Sequence, residues 1–268
     1  MYLVLLTNMA ASGTTMDYAG LFDPEWYLKT FLSSIPDQHI EGDLMQFYMD
    51  KYCKIFQPGE VKGRQLLDIG TGPSVHSIIS ASRHVDDVYL SDFAAQNRKL
   101  LNDWWKSDKT LIENVTAYVL KQEKSSETVV ERQTAMKGKV RAVLPIDVTL
   151  SNPLGSGSDI TQFDIITSSL CLEAAALTID QYRTNAANVA SLLKVGGHFI
   201  LNGVLEQTWY QVGEYKFGSV WLSREDIEST FVSCGFDIKQ FDVLKTDDEV
   251  YSDFHVFFAM HAVKVREM

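Results

Sequence analysis

A glycine turn, followed at a fixed distance by a carboxylate, is the first candidate for chemistry in this sequence. Residues 66–73 read LLDIGTGP, so an apolar run leads into a turn that contains Gly70 and Gly72. Because glycine lacks a side chain and adopts positive φ readily, the backbone of such a turn can approach a ligand closely. Asp92 ends the next apolar run, twenty residues after Gly72, where Rossmann-like units place a carboxylate that binds ribose. The pattern predicts a nucleoside-containing cofactor.

The residues around this turn narrow the identity of the cofactor. A dinucleotide-binding turn has a third glycine three residues after the second, but Val75 occupies that position. Pro73 removes a backbone N–H that a phosphate would otherwise use. Asp68, at the end of the predicted strand, would repel a phosphate and would suit a cationic sulfonium and amino group. These three departures favour S-adenosylmethionine over NAD.

Three further residues could contact the same cofactor. Asp147 and Val148 follow an apolar run at 143–146, where a carboxylate could accept from the adenine amine and a valine could pack on the ring. Asp147 could equally be a turn or helix-cap residue. Asn97 lies one turn into the helix predicted after Asp92 and would point back toward the nucleotide, although alone it would be an ordinary surface residue.

These residues need a scaffold, and short apolar runs alternate with amphipathic stretches along most of the chain. That alternation predicts a parallel sheet covered by helices, an α/β fold of Rossmann-like type. The predicted strands are 65–69, 87–91, 141–146, 164–168 and 198–202, followed by extended runs at 236–244 and 254–263. The predicted helices are 74–82, 94–105, 180–193 and 223–235, the last with Ser223 as its N-cap.

Two regions lie outside this alternation. Residues 1–64 precede the first strand and are rich in aromatic residues, which predicts a cap or lid over a binding site. Residues 106–140 are polar and charged, and we predict a helix and loops inserted at the edge of the sheet. With 268 residues, 46% of them hydrophobic, the chain can form one large core. We therefore predict a single domain over 1–268, with its Rossmann-like core at 65–268.

Composition argues against several classes of partner. The formal net charge is −11 and Lys and Arg do not cluster, so the sequence lacks the basic surface that nucleic acid or an anionic membrane requires. No run approaches the ~20 apolar residues of a membrane span. Cys53, Cys171 and Cys234 are odd in number and far apart, which predicts reduced thiols in the cytoplasm and no metal site.

Six parts of the sequence occur together in one known family. They read FDP at 22–24 with YL at 27–28, DIGTGP at 68–73, SDF at 91–93 with Asn97, VLPIDV at 143–148, LCLEA at 170–174 and LEQTWY at 205–210. On these segments, the chain resembles the small-amine N-methyltransferase family that contains nicotinamide, phenylethanolamine and indolethylamine N-methyltransferases. The resemblance runs in order from about residue 17 to about residue 264 and covers nearly the whole chain.

The resemblance implies an S-adenosylmethionine-dependent enzyme with a class I methyltransferase sheet, an antiparallel strand at its C-terminal end and an N-terminal helical lid. It implies cofactor contacts from Tyr27, Gly70, Thr71, Gly72, Asp92, Asn97, Asp147, Val148 and Ser169, the last beside the sulfonium. It also implies that the acceptor amine faces Glu173, Gln207 and Ser219, in a pocket lined by Tyr18 and Tyr48. Tyr27 alone could be a plain core aromatic.

The resemblance makes Glu173 and Gln207 the predicted catalytic residues and S-adenosylhomocysteine the product. Glu173 also stands out by itself, because it directly follows an apolar run, and a carboxylate is costly to bury without a partner. We expect a monomer that acts on a small-molecule amine.

Five departures from the family bear on the substrate and the cofactor. Gly203 stands where the nicotinamide enzyme has a substrate-contacting aspartate, which favours an arylalkylamine over nicotinamide. Gln207 replaces the second glutamate of the phenylethanolamine enzyme. Phe31 and Leu32 replace paired tyrosines, and His76 replaces the tyrosine that follows the glycine turn. These last changes bear on how the methionine carboxylate is held and how the pocket closes.

Other interpretations stay open from the sequence. The chain could methylate nicotinamide or another pyridine, whose acceptor nitrogen is neutral and needs no base. It could be a catalytically silent S-adenosylmethionine-binding partner of an active paralogue. An NAD-dependent oxidoreductase is a further alternative, which Val75 and Pro73 disfavour. The sequence identifies neither the physiological amine nor the number of methyl groups transferred.

Overall fold

Nine strands account for the extended parts of the chain that the structure describes. The computed structural model describes residues 15–32, 40–156, 162–246 and 251–267. The strands of the main sheet are β1 (Gln65–Ile69), β2 (Asp87–Asp92), β3 (Val140–Pro145), β4 (Phe163–Ser169), β5 (Leu193–Leu205), β8 (Phe236–Lys245) and β9 (Val256–Lys264). Between β5 and β8 in the chain, β6 (Trp209–Val212) and β7 (Tyr215–Gly218) form a separate hairpin.

Eight α-helices lie within the same described ranges. They are α1 (Thr15–Leu21), α2 (Pro24–Phe31), α3 (Ile40–Phe56), α4 (Ala95–Trp105), α5 (Glu113–Gln122), α6 (Val129–Lys139), α7 (Ile179–Ser191) and α8 (Arg224–Ser233). The predicted N-cap Ser223 opens α8 through a capping box with Asp226.

The main sheet is mixed, with the strand order β3-β2-β1-β4-β5-β9-β8. β1 pairs in parallel with β2 and β4, and β4 pairs in parallel with β5, whereas β9 is antiparallel to both β5 and β8. This order confirms the predicted Rossmann-like sheet with an antiparallel strand at its C-terminal end. The carboxyl ends of β1, β2, β4 and β5 lie side by side, the edge at which open α/β sheets bind ligands.

The two faces of the sheet carry two separate apolar clusters, because successive residues of a strand point to opposite faces. In β1, Leu66 belongs to one cluster and Leu67 to the other. The first cluster includes residues of α3 to α6, such as Leu101. The second includes residues of α7 and α8, such as Tyr182 and Ile227. Helices therefore cover both faces, as predicted.

The prediction of one helix over 74–82 is wrong. Two short 3-10 turns, His76–Ile78 and Ala81–His84, occupy this stretch. All residues from 74 to 82 are buried, so the apolar spacing does not mark one covered face. Ser74 Oγ accepts from the N–H of His76 and Ser82 Oγ donates to the carbonyl of Ile79, both at 3.3 Å, and serine hydroxyls that bond the nearby backbone compete with α-helix formation.

The segment 106–140 contains two helices where we predicted one helix and loops. Although the segment is polar, Val119 and Met136 are fully buried in the core. Arg132 is also buried and forms ion pairs with Glu123 at 2.7 Å and Glu127 at 2.5 Å. The segment is thus a packed crossover from β2 to the edge strand β3.

The N-terminal cap is described in part, since residues 1–14 and 33–39 lie outside the described residues. Helix α2 begins where Asp23 Oδ1 accepts from the N–H groups of Glu25 and Trp26, both at 3.0 Å, and Pro24 occupies the first helical position. Gln96 Nε2 donates to the carbonyl of Phe22 at 3.3 Å. This bond joins the cap to α4.

The described residues also bear on the cysteines, on membrane spans and on metal ligands. Cys53, Cys171 and Cys234 are free thiols. In the ranges described, no helix combines the length and apolar character needed to cross a membrane. Nor do three or more His, Cys, Asp or Glu side chains gather there as the ligands of a metal ion would.

Candidate active site

A cavity opens at the carboxyl ends of the parallel strands, beneath α1 and α2. Its empty space, about 1370 Å³, includes the solvent at its open mouth. Of the predicted site residues, the following line it: Tyr18, Tyr27, Gly70, Thr71, Gly72, Asp92, Asp147, Val148, Ser169, Glu173 and Gln207.

The glycine turn after β1 forms one wall of the cavity. Gly70 and Gly72 both have a φ of +65°, which disfavours any residue with a side chain. A β-carbon at position 70 would also lie 2.3 Å from Cys171 Sγ. The N–H of Gly72 donates to Asp92 Oδ2 at 2.7 Å, so the turn and the carboxylate form one unit.

The carboxylate of Asp92 is buried, and hydrogen bonds from the protein itself use most of its acceptor capacity. Its Oδ1 accepts from the N–H of Ala94 at 2.8 Å and from Asn97 Nδ2 at 3.2 Å, and its Oδ2 accepts from Gly72. A carboxylate has about four acceptor directions, so about one remains for a ligand. Asn97 is not among the residues that line the cavity; it orients Asp92. Burial raises the pKa of Asp92, and these hydrogen bonds oppose the rise.

The carboxylate of Asp68, suggested to suit the cationic groups of the cofactor, is not among the groups that line the cavity. Asp68 is 1% exposed and lies beneath the glycine turn, where it accepts from Ser77 Oγ and Thr167 Oγ1, both at 2.7 Å. Burial raises its pKa to about 6. These two bonds fix the carboxylate of Asp68 between Ser77 and Thr167 of β4.

Asp147 and His76 both line the cavity, but their side chains differ in the hydrogen bonds that they form. Asp147 Oδ1 accepts from the N–H of Thr149 at 3.0 Å and from its hydroxyl at 2.6 Å, so the turn role left open for this residue is present. His76 Nδ1 lies 2.7 Å from Ser74 Oγ, while its Nε2 is buried without a partner in the described part of the chain. Burial lowers the pKa of His76 to about 4, so the ring is neutral and Nε2 can bond a ligand.

Unusual backbone conformations direct two segments toward the cavity. Leu170, which follows β4, has a φ of 53°, and Glu206, which follows β5, has a φ of 62°. Positive φ is uncommon for residues with side chains and is frequent at functional sites. After these two residues the chain brings Glu173 and Gln207 to the cavity wall.

Glu173 is a buried ionisable group that lines the cavity. Its side chain is 3% exposed, and its Oε1 accepts from the N–H of Val204 at 3.3 Å. Burial raises its pKa from 4.5 to about 7, and no cationic side chain of the described residues is among the groups that shift it. An unpaired buried carboxylate is costly. The arrangement is suited to a cationic ligand.

The other predicted acceptor residues differ in their positions. Tyr48 does not line the cavity, because its hydroxyl donates to the carbonyl of Gly203 at 2.6 Å. Ser219 is likewise absent from the lining, and its buried Oγ has no partner among the described residues. Ser169 does line the cavity, and its Oγ lies 2.9 Å from the hydroxyl of Tyr52.

Several aromatic residues of the cavity wall were not predicted from the sequence, including Tyr210, Tyr251 and Phe254. Tyr210 belongs to the β6–β7 hairpin, whose two-residue turn has Gly213 at φ +62°. An alternating run with glycine at the first position of a two-residue turn is a hairpin signal, and 209–218 carries it. No comparable signal marks Tyr251 and Phe254.

Most of this chain matches one family of known proteins. The sequence profile of the NNMT/PNMT/TEMT family matches residues 11–265. An indolethylamine N-methyltransferase of Oryctolagus cuniculus is 33% identical, over 84% of this chain and 86% of its own length. A nicotinamide N-methyltransferase of Sus scrofa is 31% identical over 88% and 90%. A phenylethanolamine N-methyltransferase of Macaca mulatta is 34% identical over 70% and 67%.

The fold has a solved counterpart as well. An S-adenosylmethionine-dependent methyltransferase from Methanosarcina mazei superposes with a TM-score of 0.55 at 16% identity, covering 80% of this chain and 98% of its own. This likeness confirms the class of the sheet.

Proposed function

Since this chain belongs to the NNMT/PNMT/TEMT family and is an S-adenosylmethionine-dependent N-methyltransferase of small amines, we propose that its acceptor is an arylalkylamine. The named relatives act on an indolethylamine, nicotinamide and a phenylethanolamine, so membership leaves the acceptor class open. The observation that carries the proposal is Glu173, a buried carboxylate on the cavity wall without a cationic partner among the described residues.

The cavity wall has groups that fit S-adenosylmethionine. The residues proposed to hold it are Tyr27, Gly70, Thr71, Gly72, Asp92, Asp147, Val148 and Ser169, with Asn97 orienting Asp92. The unpartnered Nε2 of His76 offers a further hydrogen bond. When bound, S-adenosylmethionine supplies an activated methyl group, so the protein has to position the acceptor and exclude water.

Glu173 has the properties needed to prepare an alkylamine for methylation. Such an amine is protonated at neutral pH and has no free electron pair. In this proposal the carboxylate of Glu173 binds the ammonium, directly or through water, and accepts its proton. Its pKa of about 7 suits a base at neutral pH. Gln207, also on the wall, would bind the same nitrogen as a neutral partner.

The aromatic wall supports an acceptor with an aryl group. Tyr18, Tyr27, Tyr210 and Phe254 line the cavity, and aromatic faces both pack on aryl rings and attract cations. α1 and α2 contribute Tyr18 and Tyr27, so we propose that this N-terminal cap excludes water from the site.

The remaining features support a chain that acts by itself in the cytoplasm. We propose a single methyltransferase domain and a monomer that binds neither nucleic acid nor membranes. The net charge of −11 opposes binding to anionic polymers. The free thiols agree with a reducing compartment.

Methylation assays with two acceptor classes test this function. With Glu173→Gln we expect kcat/KM for the best arylalkylamine to fall more than ~10-fold near neutral pH. The loss should shrink at higher pH, because a larger fraction of the amine is already deprotonated in solution. Glu60→Gln, a change at an exposed carboxylate away from the cavity, is the matched control.

The alternative acceptor is nicotinamide or another pyridine, which needs no base. The observation that favours this alternative is the similarity to a nicotinamide N-methyltransferase over 88% of this chain. A pyridine should keep its pH profile in Glu173→Gln. If that variant matches the wild type on every arylalkylamine while pyridines are the better acceptors, the arylalkylamine proposal is wrong.

A further inference from the structure

We propose that Gly203 is a specificity-determining position, where the lack of a side chain allows Glu173 to hold its carboxylate in the acceptor site. Gly203 lies in β5, immediately before the residue whose N–H binds Glu173. Gly203 is a positioning residue that acts through Glu173. The inference rests on the proposed function, in which Glu173 receives the ammonium of the acceptor.

The space beside Gly203 is already filled. A β-carbon at this position would lie 2.7 Å from Glu173 Oε1, 2.7 Å from Phe258 Cε1 and 2.9 Å from Phe258 Cζ. Ordinary van der Waals contacts of a β-carbon begin at 3.4 Å. Any other residue at 203 would therefore force either the carboxylate or the ring to move.

The ring and the backbone are held more firmly than the carboxylate. Gly203 pairs with Phe258 of β9, and its carbonyl accepts from the hydroxyl of Tyr48 at 2.6 Å. The Phe258 ring is 1% exposed and stacks on Phe241, with ring centroids 5.3 Å apart and planes at 11°. By contrast, Glu173 Oε1 ends a flexible side chain. Within the described residues, a 3.3 Å hydrogen bond from Val204 is the one that joins it to another residue, and its own backbone N–H contributes a second.

The carboxylate is therefore the group that yields. Its movement would break the bond to Val204 N–H and withdraw the negative charge from the place where a cationic acceptor needs it. A neutral acceptor nitrogen has no ionic interaction with Glu173, so it loses none when the carboxylate moves. Position 203 thus decides how strongly the site prefers cationic over neutral acceptors, although its own side chain touches neither.

A double-mutant cycle in the full-length enzyme tests this coupling. The variants are Gly203→Ala, Glu173→Gln, Glu173→Asp and the doubles Gly203→Ala/Glu173→Gln and Gly203→Ala/Glu173→Asp. Gly138→Ala is the matched control, because no atom lies within 4 Å of a β-carbon at 138. kcat/KM is measured for phenylethylamine and for a pyridine, together with S-adenosylhomocysteine affinity.

We expect Gly203→Ala to lower kcat/KM for phenylethylamine ~10-fold or more and to change the pyridine and S-adenosylhomocysteine values less than about threefold. Adding Glu173→Gln should cost nothing further, because residues in contact are not additive. Glu173→Asp should lower phenylethylamine turnover in the Gly203 enzyme yet raise it in the Gly203→Ala enzyme, since the shorter side chain withdraws from the new methyl group.

Several outcomes overturn the inference. Equal losses on both acceptors that Phe258→Leu restores would assign the effect to the ring. Additive losses in the Glu173→Gln double would show no coupling. If Glu173→Gln lowers phenylethylamine turnover but Gly203→Ala does not, only the inference about Gly203 fails. If neither variant lowers phenylethylamine turnover, the proposed function fails as well. Should Gly203→Ala not fold, the same cycle in a Phe258→Leu background, which frees the ring side, decides between these outcomes.

Discussion

Replacing Glu173 by glutamine should stabilise the protein at alkaline pH even as it lowers arylalkylamine turnover. Burial raises the pKa of Glu173 from 4.5 to about 7. The difference between these values, about 2.5, corresponds to about 3 kcal/mol against the charged form in the folded protein. Water that enters the cavity and solvates the carboxylate reduces this cost, so the figure is an upper bound.

The pH dependence follows from the direction of this change. A carboxyl group whose pKa is higher in the folded protein costs no stability while it is protonated in both states. The cost appears as the pH rises past 4.5 and is complete above about 7. Glutamine stays neutral and can still accept from Val204 N–H. The stability gained by Glu173→Gln should thus be under about 1 kcal/mol at pH 5 and approach about 3 kcal/mol at pH 8.

Denaturant unfolding of the free enzyme at pH 5 and pH 8 measures this gain directly. At pH 8 the gain corresponds to a rise in Tm of about 6–12 °C for a chain of this size. The difference between variant and wild type isolates Glu173, because Asp68 and Asp92, whose pKa values are also raised, are common to both. Glu60→Gln should show no such gain. A gain that does not grow between pH 5 and pH 8 would refute the view that the ionised carboxylate is buried without a partner.

Two further predictions concern the cofactor and the cap. Asp92→Ala should weaken S-adenosylhomocysteine binding ~10–100-fold in calorimetry, because a charge-assisted hydrogen bond is worth ~1.5–3 kcal/mol; unchanged affinity in a folded variant would remove Asp92 from the site. Deleting residues 1–32 should leave a folded sheet by circular dichroism but abolish turnover, since Tyr18 and Tyr27 leave the cavity wall. Full activity of the truncated chain would contradict a role in closing the site.

The parts of the site that local spacing controls could be predicted from the sequence. The glycine turn and Asp92 lie at the carboxyl ends of neighbouring strands β1 and β2, as expected from their distance along the chain. Glu173 could be singled out because a carboxylate follows an apolar run directly. Each of these inferences uses the strand pattern, which is a local property.

Other features depend on contacts that no local pattern contains. Asp68 resembles a ligand contact in sequence, yet Thr167, ninety-nine residues away, turns its carboxylate into the protein interior. Tyr48 was expected to line the acceptor pocket, but its hydroxyl donates to the carbonyl of Gly203. The run 74–82 has helical spacing, but it is buried on every side and Ser77 donates to the carboxylate of Asp68 in β1. Tertiary contacts override the local preference in all three cases.

The position of β9 determines the order in which the two halves of the site can form. In the described part of the chain, β8 joins the sheet through β9, so β8 can pair only when β9 lies on β5. The centre of the cofactor half is local, since Gly72 and Asp92 are 20 residues apart. The acceptor half needs Tyr48, 155 residues from Gly203, and Phe258 of β9. Because pairing across long loops is slow, we expect the acceptor half to be completed last, and we expect a partial unfolding that releases β8 and β9 to remove acceptor recognition while cofactor binding persists.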